Sequence, residues 1–540
     1  MSQSISEADA PRFGIPRTAI LVILLGIVIR GYSCAYIPLV NPDGHLYIQQ
    51  AKALHYGLWD SVTACYHYLS NYPLLIVAAH QIFEDWILAA KSISLVFSAL
   101  TLIPLFWLLR RFFDDIASSL ALMIFALLPA FVDLSHFIVR DHVYHFFSVL
   151  GLYLFVLQIK KESNLLIFLS GISFLMATWG RIEGALFILV SGFYILISKH
   201  EHKRKRLFFF LCPLLCIIFS ALFYLVLFNR EHFTLFDYRI LTMPFELIER
   251  YQEVREKLSY LMKHDLTDLS PYFLYRIRNM LWLIALASLC FEIIKTLFHV
   301  FFLIFILGIA GARAQVWKDP RVAYLSLLSA AAFVLLYAQV INNWVMVSRF
   351  IALFLFPAYI FMGFGLEKTA NFISQRFKKK QHAVYPILCL LILLTTLPKN
   401  LRANYDEDKL VFREIGQYIA AQEENRREIS VIGSFKETAA IHFYANLDYE
   451  GAPCFENEDL ISKGDLVIDP GILKDRRADY LIWDERGMSR ETLNRLLDDD
   501  RKRFTPLKEW RSSDRGRLIL FRVTGPEKDA GFFPKRRVFS

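Results

Sequence analysis

The chain has 540 residues, with 60 Lys and Arg against 51 Asp and Glu for a formal charge of +9, and 55% of it is hydrophobic, including 48 phenylalanines. With a mean hydropathy of +0.38 and only 21% charged residues, this balance belongs to a protein that meets lipid over much of its surface. It excludes disordered, collagen-like and disulfide-scaffold classes.

A helix that crosses the hydrocarbon core needs about 20 apolar residues. That criterion predicts about eleven transmembrane helices, near 18–38, 86–109, 116–132, 142–158, 164–178, 182–198, 207–228, 291–311, 322–340, 349–366 and 383–398. The first run is interrupted by Arg30, a charge that either points into the bundle or snorkels outward. A cleaved signal peptide is the alternative for this run, but the apolar stretch resumes at Tyr32–Val40, as in an uncleaved anchor. Four cysteines, Cys212, Cys216, Cys290 and Cys389, sit in apolar runs and read as small core hydrophobes. The basic residues fall in short groups between the runs: Arg12 and Arg17, Arg110 and Arg111, Lys160 and Lys161, Lys199–Arg206, Arg313–Arg321, and Lys368–Lys380. With alternating helices all six groups share one side, which the positive-inside rule makes the cytoplasm, and no nucleic-acid partner is implied. Residues 37–85, 133–141, 229–280 and 399 onward then face the outside. After Pro398 the composition changes to charged stretches and short apolar strands at Ile429–Ile432, Asp465–Ile468, Tyr480–Trp483 and Leu518–Phe521. A membrane domain over 1–398 followed by a small α/β domain over 399–540 is predicted, the latter serving as a cover or docking surface.

Chemistry-bearing residues gather in the outward segments. In Asn41–Ala51, Pro42 and Gly44 bracket Asp43 at the start of an amphipathic stretch, where an aspartate is also a common helix N-cap. The short second outward segment holds Asp133, Ser135, His136, Arg140 and Asp141, with His142 and His145 just beyond. His136, His142 and His145 are candidate ligands for a divalent metal, and no other cofactor is indicated. Asp141 either serves the site or forms a surface pair with Arg140. Arg181 and Glu183 lie at the junction of two helices and read as an ion pair holding a bend. Arg349 opens a helix on the outer side, placed to bind phosphate as a fork or to anchor the helix at the interface. Residues 229–280, with Arg250, Arg255 and Lys257 among Leu and Tyr, read as an amphipathic lid or as a solvated hairpin.

Several stretches, in this order, resemble GT-C polytopic glycosyltransferases, in particular bacterial relatives of protein O-mannosyltransferases and of the lipid A aminoarabinose transferase. They are Pro42-Asp43-Gly44 with Tyr47 and Ala51, Asn71-Tyr72-Pro73-Leu74-Leu75, Leu88–Ser92 through Leu109–Phe113, Thr178–Gly184, and Ser348–Ala352 through Pro357. The resemblance covers most of the membrane part and only the general α/β character of the tail. Ile182 replaces the family's usual Pro. The resemblance implies a bacterial-type inner-membrane glycosyltransferase whose active site and tail face the periplasm or exterior. It would move a hexose or pentose from a polyprenyl-phosphate donor to a lipid-linked glycan, a lipopolysaccharide or a protein hydroxyl. Asp43 would be the catalytic base and Asp141 a second catalytic acid residue, with His45, Tyr47, Arg140, Arg181, Glu183 and Arg349 binding substrate. Some relatives use a metal. A carboxylate is a weak base at neutral pH, so positioning matters more than tuning. The alternative is a transporter or flippase of lipid-linked sugars, a class that usually shows repeated halves. The sequence has no internal repeat.

Overall fold

A computed structural model describes residues 14–63, 68–198, 201–228, 239–264, 269–378, 381–402, 407–455, 478–487, 491, 493–494 and 504–524. The chain divides into two compact units. One comprises Met1–Pro38 and His67–Ala403, the membrane unit; the other comprises Leu39–Tyr66 and Asn404–Ser540, the sheet unit. The segment after the first helix, expected to belong with the membrane domain, therefore groups with the tail.

In the membrane unit, eight helices are long and apolar enough to cross a bilayer, and a ninth span is made of Ser348–Ala358 and Ile360–Arg376, bent by 68°. Three shorter apolar helices are Asp115–Leu127, Asn164–Gly180 and Ile182–Ile197. These helices are apolar on both faces. Leu21, Leu189, Phe219, Leu303 and Leu394 are turned outward while Phe106, Leu122, Phe155, Leu325 and Phe356 fill the interior, the pattern of a bundle solvated by lipid. Arg30 points inward and is 1% exposed, its Nη1 donating to the carbonyls of Gly26 and Ala126 at 3.1 and 2.7 Å. Helix starts at Trp86, Asp115 and Pro320 are capped by Asp85, Asp114 and Asp319, whose carboxylates accept the amides of Leu88, Ala117 and Arg321.

Side-chain contacts identify the two ends of this bundle. At one end Arg110 donates to Gly14 O, Arg321 to Arg111 O and Arg206 to Gln158 O, so basic groups scattered through the sequence do collect together. At the other end Lys399 lies over the Phe298 ring and Asp141 meets Arg181. One expected helix, 291–311, is two: Pro271–Thr296 and His299–Lys318, broken where Phe298 has φ +56°. Arg278 of the first donates to Ser259 of the charged Arg239–His264 helix. Tyr251 of that charged helix stacks on Trp344. Glu292, near the other end of Pro271–Thr296, accepts from Ser348. The Glu292 end of the helix thus stands beside Ser348 and Arg349. By length and composition the described residues hold eight candidate spans, or nine with the bent pair, against the eleven expected; the other expected crossings fall on the three shorter apolar helices.

The sheet unit carries β1 (Val431–Gly433), β2 (Tyr480–Asp484), β3 (Phe504–Ser512) and β4 (Gly516–Val523) in the order β1-β2-β4-β3. β1 and β2 are parallel, and β4 pairs antiparallel with β2 and β3. Alternation along β2 sends Tyr480 and Ile482 to one apolar layer with Phe412, Ile415 and Ile441, and Leu481 and Trp483 to the other with Phe504 and Phe521. β3 carries the polar run Lys508–Glu509 and was not expected. The expected strand at Asp465–Ile468 lies outside the described residues. Cys34, Cys212, Cys216, Cys290 and Cys389 are free, Cys216 and Cys290 being exposed on helix surfaces rather than in the core. Cys454 is disulfide-bonded.

The His299–Lys318 and Ile360–Arg376 helices touch backbone to backbone. A Cβ on Gly308 would stand 1.7 Å from Phe361 O, and one on Gly365 would stand 1.9 Å from Ile304 O, the small-residue contact that lets membrane helices approach closely. Because the obstacle is backbone, Gly308→Val should destabilise the protein by about 3 kcal/mol. Gly31→Val, whose Cβ would meet nothing within 4 Å, should be nearly silent. Thermal unfolding of the detergent-solubilised protein followed by intrinsic fluorescence checks this; equal midpoints for the two variants would contradict it.

Candidate functional site

The helix Asn164–Gly180 stops at Arg181, whose backbone is extended (φ −145°, ψ 129°), and the chain resumes through a 3-10 turn at Ile182–Gly184. A Cβ on Gly184 would stand 2.8 Å from Thr178 N, so the turn folds tightly onto the helix it leaves. This break carries the Arg181 side chain, 6% exposed, to the start of the Asp141–Lys161 helix. Its Nη1 donates to Asp141 Oδ1 at 2.5 Å and its Nη2 to Glu183 Oε1 at 2.7 Å. Its guanidinium lies 4.4 Å from the centre of the Phe350 ring. Arg349 lies against the same ring at 5.4 Å.

The charges of Arg349 and Arg140 both act on Asp141, and Arg140 stacks over Tyr68 at 4.7 Å. Tyr68 in turn donates to Gly180 O at 3.1 Å, beside the break. Tyr144, Arg181, Glu183, Gln339, Arg349 and Phe350 line one narrow cleft. Five residues named from the sequence, Arg140, Asp141, Arg181, Glu183 and Arg349, are therefore brought together. Their three guanidiniums against two carboxylates make the cluster cationic, suited to an anion with several oxygens. The Arg181–Glu183 pair is as expected. Asp141 is bridged to Arg181 and is 2% exposed, a buried pair rather than the surface pair with Arg140.

The His142 and His145 rings meet edge to face at 6.3 Å, but His136 does not join them in a three-ligand group. His142 Nε2 is 3.0 Å from Leu134 O, His136 Nδ1 is 3.2 Å from Ser33 Oγ, and His145 packs edge-on against Phe131 and Phe356. Burial, with the Lys91 charge second, pushes His136 down to about 4. Among the described residues no three metal-ligating side chains come together, which corrects the expectation of a divalent-metal site at His136, His142 and His145. The reason is that each ring is already placed by a packing or hydrogen-bond partner on a neighbouring helix: Leu134 for His142, Ser33 for His136, and Phe131 and Phe356 for His145.

Asp43, His45 and Tyr47 belong to the sheet unit. Their helix, Pro42–His55, has Asn41 at the N-cap position and Pro42 in the first turn, so the half-buried Asp43 is in the first turn and is not the cap. His45 and Tyr47, expected to bind substrate, are buried, at 8% and 4% exposure. The His45 ring stacks on Phe443 at 4.4 Å, and burial pushes it down to about 3, a neutral packing group. The sequence signalled neither Tyr68 nor Phe350, which hold guanidiniums by their ring faces; an aromatic beside an arginine is too common in an apolar chain to single out.

Residues 71–226 match the family model described as Dolichyl-phosphate-mannose-protein mannosyltransferase. No curated protein matches the chain in sequence. Among solved structures, the oligosaccharyltransferase AglB of Archaeoglobus fulgidus, in complex with an inhibitory peptide and a dolichol-phosphate, is similar with a TM-score of 0.55 at 14% identity, over 95% of this chain and 75% of that one. The same organism's oligosaccharyltransferase in complex with Zn and sulfate gives 0.53 at 15% identity, over 92% and 72%. ArnT from Cupriavidus metallidurans, bound to undecaprenyl phosphate, gives 0.43 at 13% identity, over 94% and 99%. The apolar bundle, its charged end and the small sheet unit together make this chain a multi-pass membrane protein with the GT-C glycosyltransferase fold.

Proposed function

We propose that the protein transfers a sugar from a polyprenyl-phosphate donor to an acceptor hydroxyl outside the cytoplasm. The observation that carries this reading is the guanidinium cluster of the buried Arg181 and the half-buried Arg140 and Arg349, gathered at the helix ends of a GT-C fold and cationic in sum. A lipid phosphate held there keeps its chain in the bilayer and its sugar at the membrane edge. The match to a family described by a dolichyl-phosphate donor supports the same class of donor.

In the proposed reaction the acceptor oxygen attacks the anomeric carbon from the side opposite the phosphate. The carbon–phosphate-oxygen bond breaks with its electron pair leaving on the phosphate, and configuration inverts. Asp43 takes the acceptor's hydroxyl proton, while the guanidiniums stabilise the charge that grows on the departing phosphate. Asp141 has one oxygen committed to Arg181, and its role is to hold that guanidinium rather than to move a proton.

The outward orientation rests on two features. The basic groups collect at the end opposite Asp141, which the positive-inside rule assigns to the cytoplasm. Cys454 of the sheet unit is disulfide-bonded, a bond that persists in oxidising compartments.

Asp43→Asn retains hydrogen bonding but not basicity, so kcat for sugar transfer should fall by about 10² to 10⁴ at matched levels of folded protein; near-normal turnover removes Asp43 from the mechanism. Arg349→Lys cannot reproduce the two-pronged contact with a phosphate. It should raise the donor KM by about tenfold, equivalent to roughly 1.4 kcal/mol, and unchanged donor kinetics would leave Arg349 an anchor. Ala421 is exposed on the Leu410–Glu423 helix. Ala421→Cys should react with a membrane-impermeant maleimide in intact cells, whereas reaction only after the membrane is breached would reverse the orientation.

A further inference from the structure

The helix bearing Asp43 is laid along one segment of the tail, and within the sheet unit every contact has a named partner. Just before the helix, the Val40 amide donates to Tyr444 Oη at 3.0 Å. In its first turn His45 stacks on Phe443. In its last turn Lys52 Nζ donates to the carbonyls of Asn446 and Leu447, both at 2.8 Å. Lys52 is fully buried, a costly place for an ammonium unless its protons are used. Burial pushes it down to about 8, partly offset by the Asp448 charge.

The carbonyls it holds are not on a loose loop. Asn446, also fully buried, accepts the Ile429 amide at 2.9 Å and donates to the carbonyls of Ile429 and His442 at 2.9 and 3.0 Å. Its amide side chain thus acts as a short strand partner that ties the end of the Thr438–Ala445 helix to the residues leading into β1. A simple packing role would be filled by an apolar side chain of the same length. A buried lysine that satisfies two carbonyls fixes direction and register as well.

We propose that Lys52 is a positioning residue: by fastening the Asp43 helix to the Asn446–Leu447 carbonyls, it makes the sheet unit the frame that sets where Asp43 stands. The proposal rests on the reading of Asp43 as the base.

The test uses the full chain in detergent or nanodiscs. Lys52→Met keeps the stem and removes the donors, whereas Lys52→Arg keeps a charge and several donors. Hydrogen–deuterium exchange should rise about tenfold or more over residues 42–55 and 446–449 in Lys52→Met, with His299–Lys318 unchanged, and Lys52→Arg should restore part of the protection. For sugar transfer, Lys52→Met should lower kcat by about 10² with donor KM within about twofold, the signature of a displaced group rather than lost binding. If either lysine variant fails to fold, Tyr444→Phe, which removes only the hydroxyl that receives the Val40 amide, should loosen residues 40–45 in the same way.

Unchanged exchange in Lys52→Met overturns the proposal. So does full activity in Lys52→Met while Asp43→Asn is inactive. Loosened exchange with an active Asp43→Asn overturns the base reading instead and leaves the clasp standing.

Discussion

The contact between Arg181 and Asp141 is the constraint from which the membrane unit's charged end is built. Both groups are nearly withdrawn from solvent, and withdrawing either alone costs several kcal/mol. Neither can leave without stranding the other, so the break after Gly180, the start of the Asp141–Lys161 helix and the turn at Glu183 are locked as one piece. The ring of Phe350 then gives two guanidiniums a common wall. A cluster that would repel itself in the open is stable here because its carboxylates and ring faces are fixed before any ligand arrives. Arg30 obeys the same rule with backbone carbonyls in place of carboxylates.

What could be read from the sequence was what depends on local composition. Apolar runs of bilayer length, basic groups between them and the Gly-bracketed Arg181–Glu183 junction all came from neighbouring residues, and the structure has them. The strands β1, β2 and β4 were legible as short apolar runs for the same reason. β3 was not, because its outward residues are charged and its alternation is broken by the irregularity between Pro506 and Lys508. The Pro271–Thr296 helix was not anticipated as one element, because its first turns, with Arg276 and Arg278, read with the charged segment 229–280 and its last turn merges with the apolar run 291–311. The partner of Asp141 was missed for a related reason: it lies 40 residues away, and nothing local distinguishes it from the adjacent Arg140.

Histidine shows the opposite error. Three histidines near a membrane face look like ligands when counted in sequence, yet each ring is placed separately, by a backbone carbonyl, a serine or phenylalanine edges. In an apolar bundle a neutral imidazole is a compact way to satisfy a polar group that a helix end leaves exposed. His45 does similar work in the sheet unit, where its ring is a packing surface for Phe443.

The sheet unit is assembled from two stretches of chain that are made far apart in time. Lys52 and the carbonyl it grips are separated by 394 residues, which at about 5–20 residues per second takes roughly 20–80 s to synthesise. Throughout that interval the helix from Pro42 to His55 has no Asn446 to hold. Its buried lysine and histidine must remain hydrated until the segment around residue 446 has been made. A later segment of the polypeptide therefore completes an earlier one, and a ribosome that stops short of residue 446 leaves the early helix unmoored.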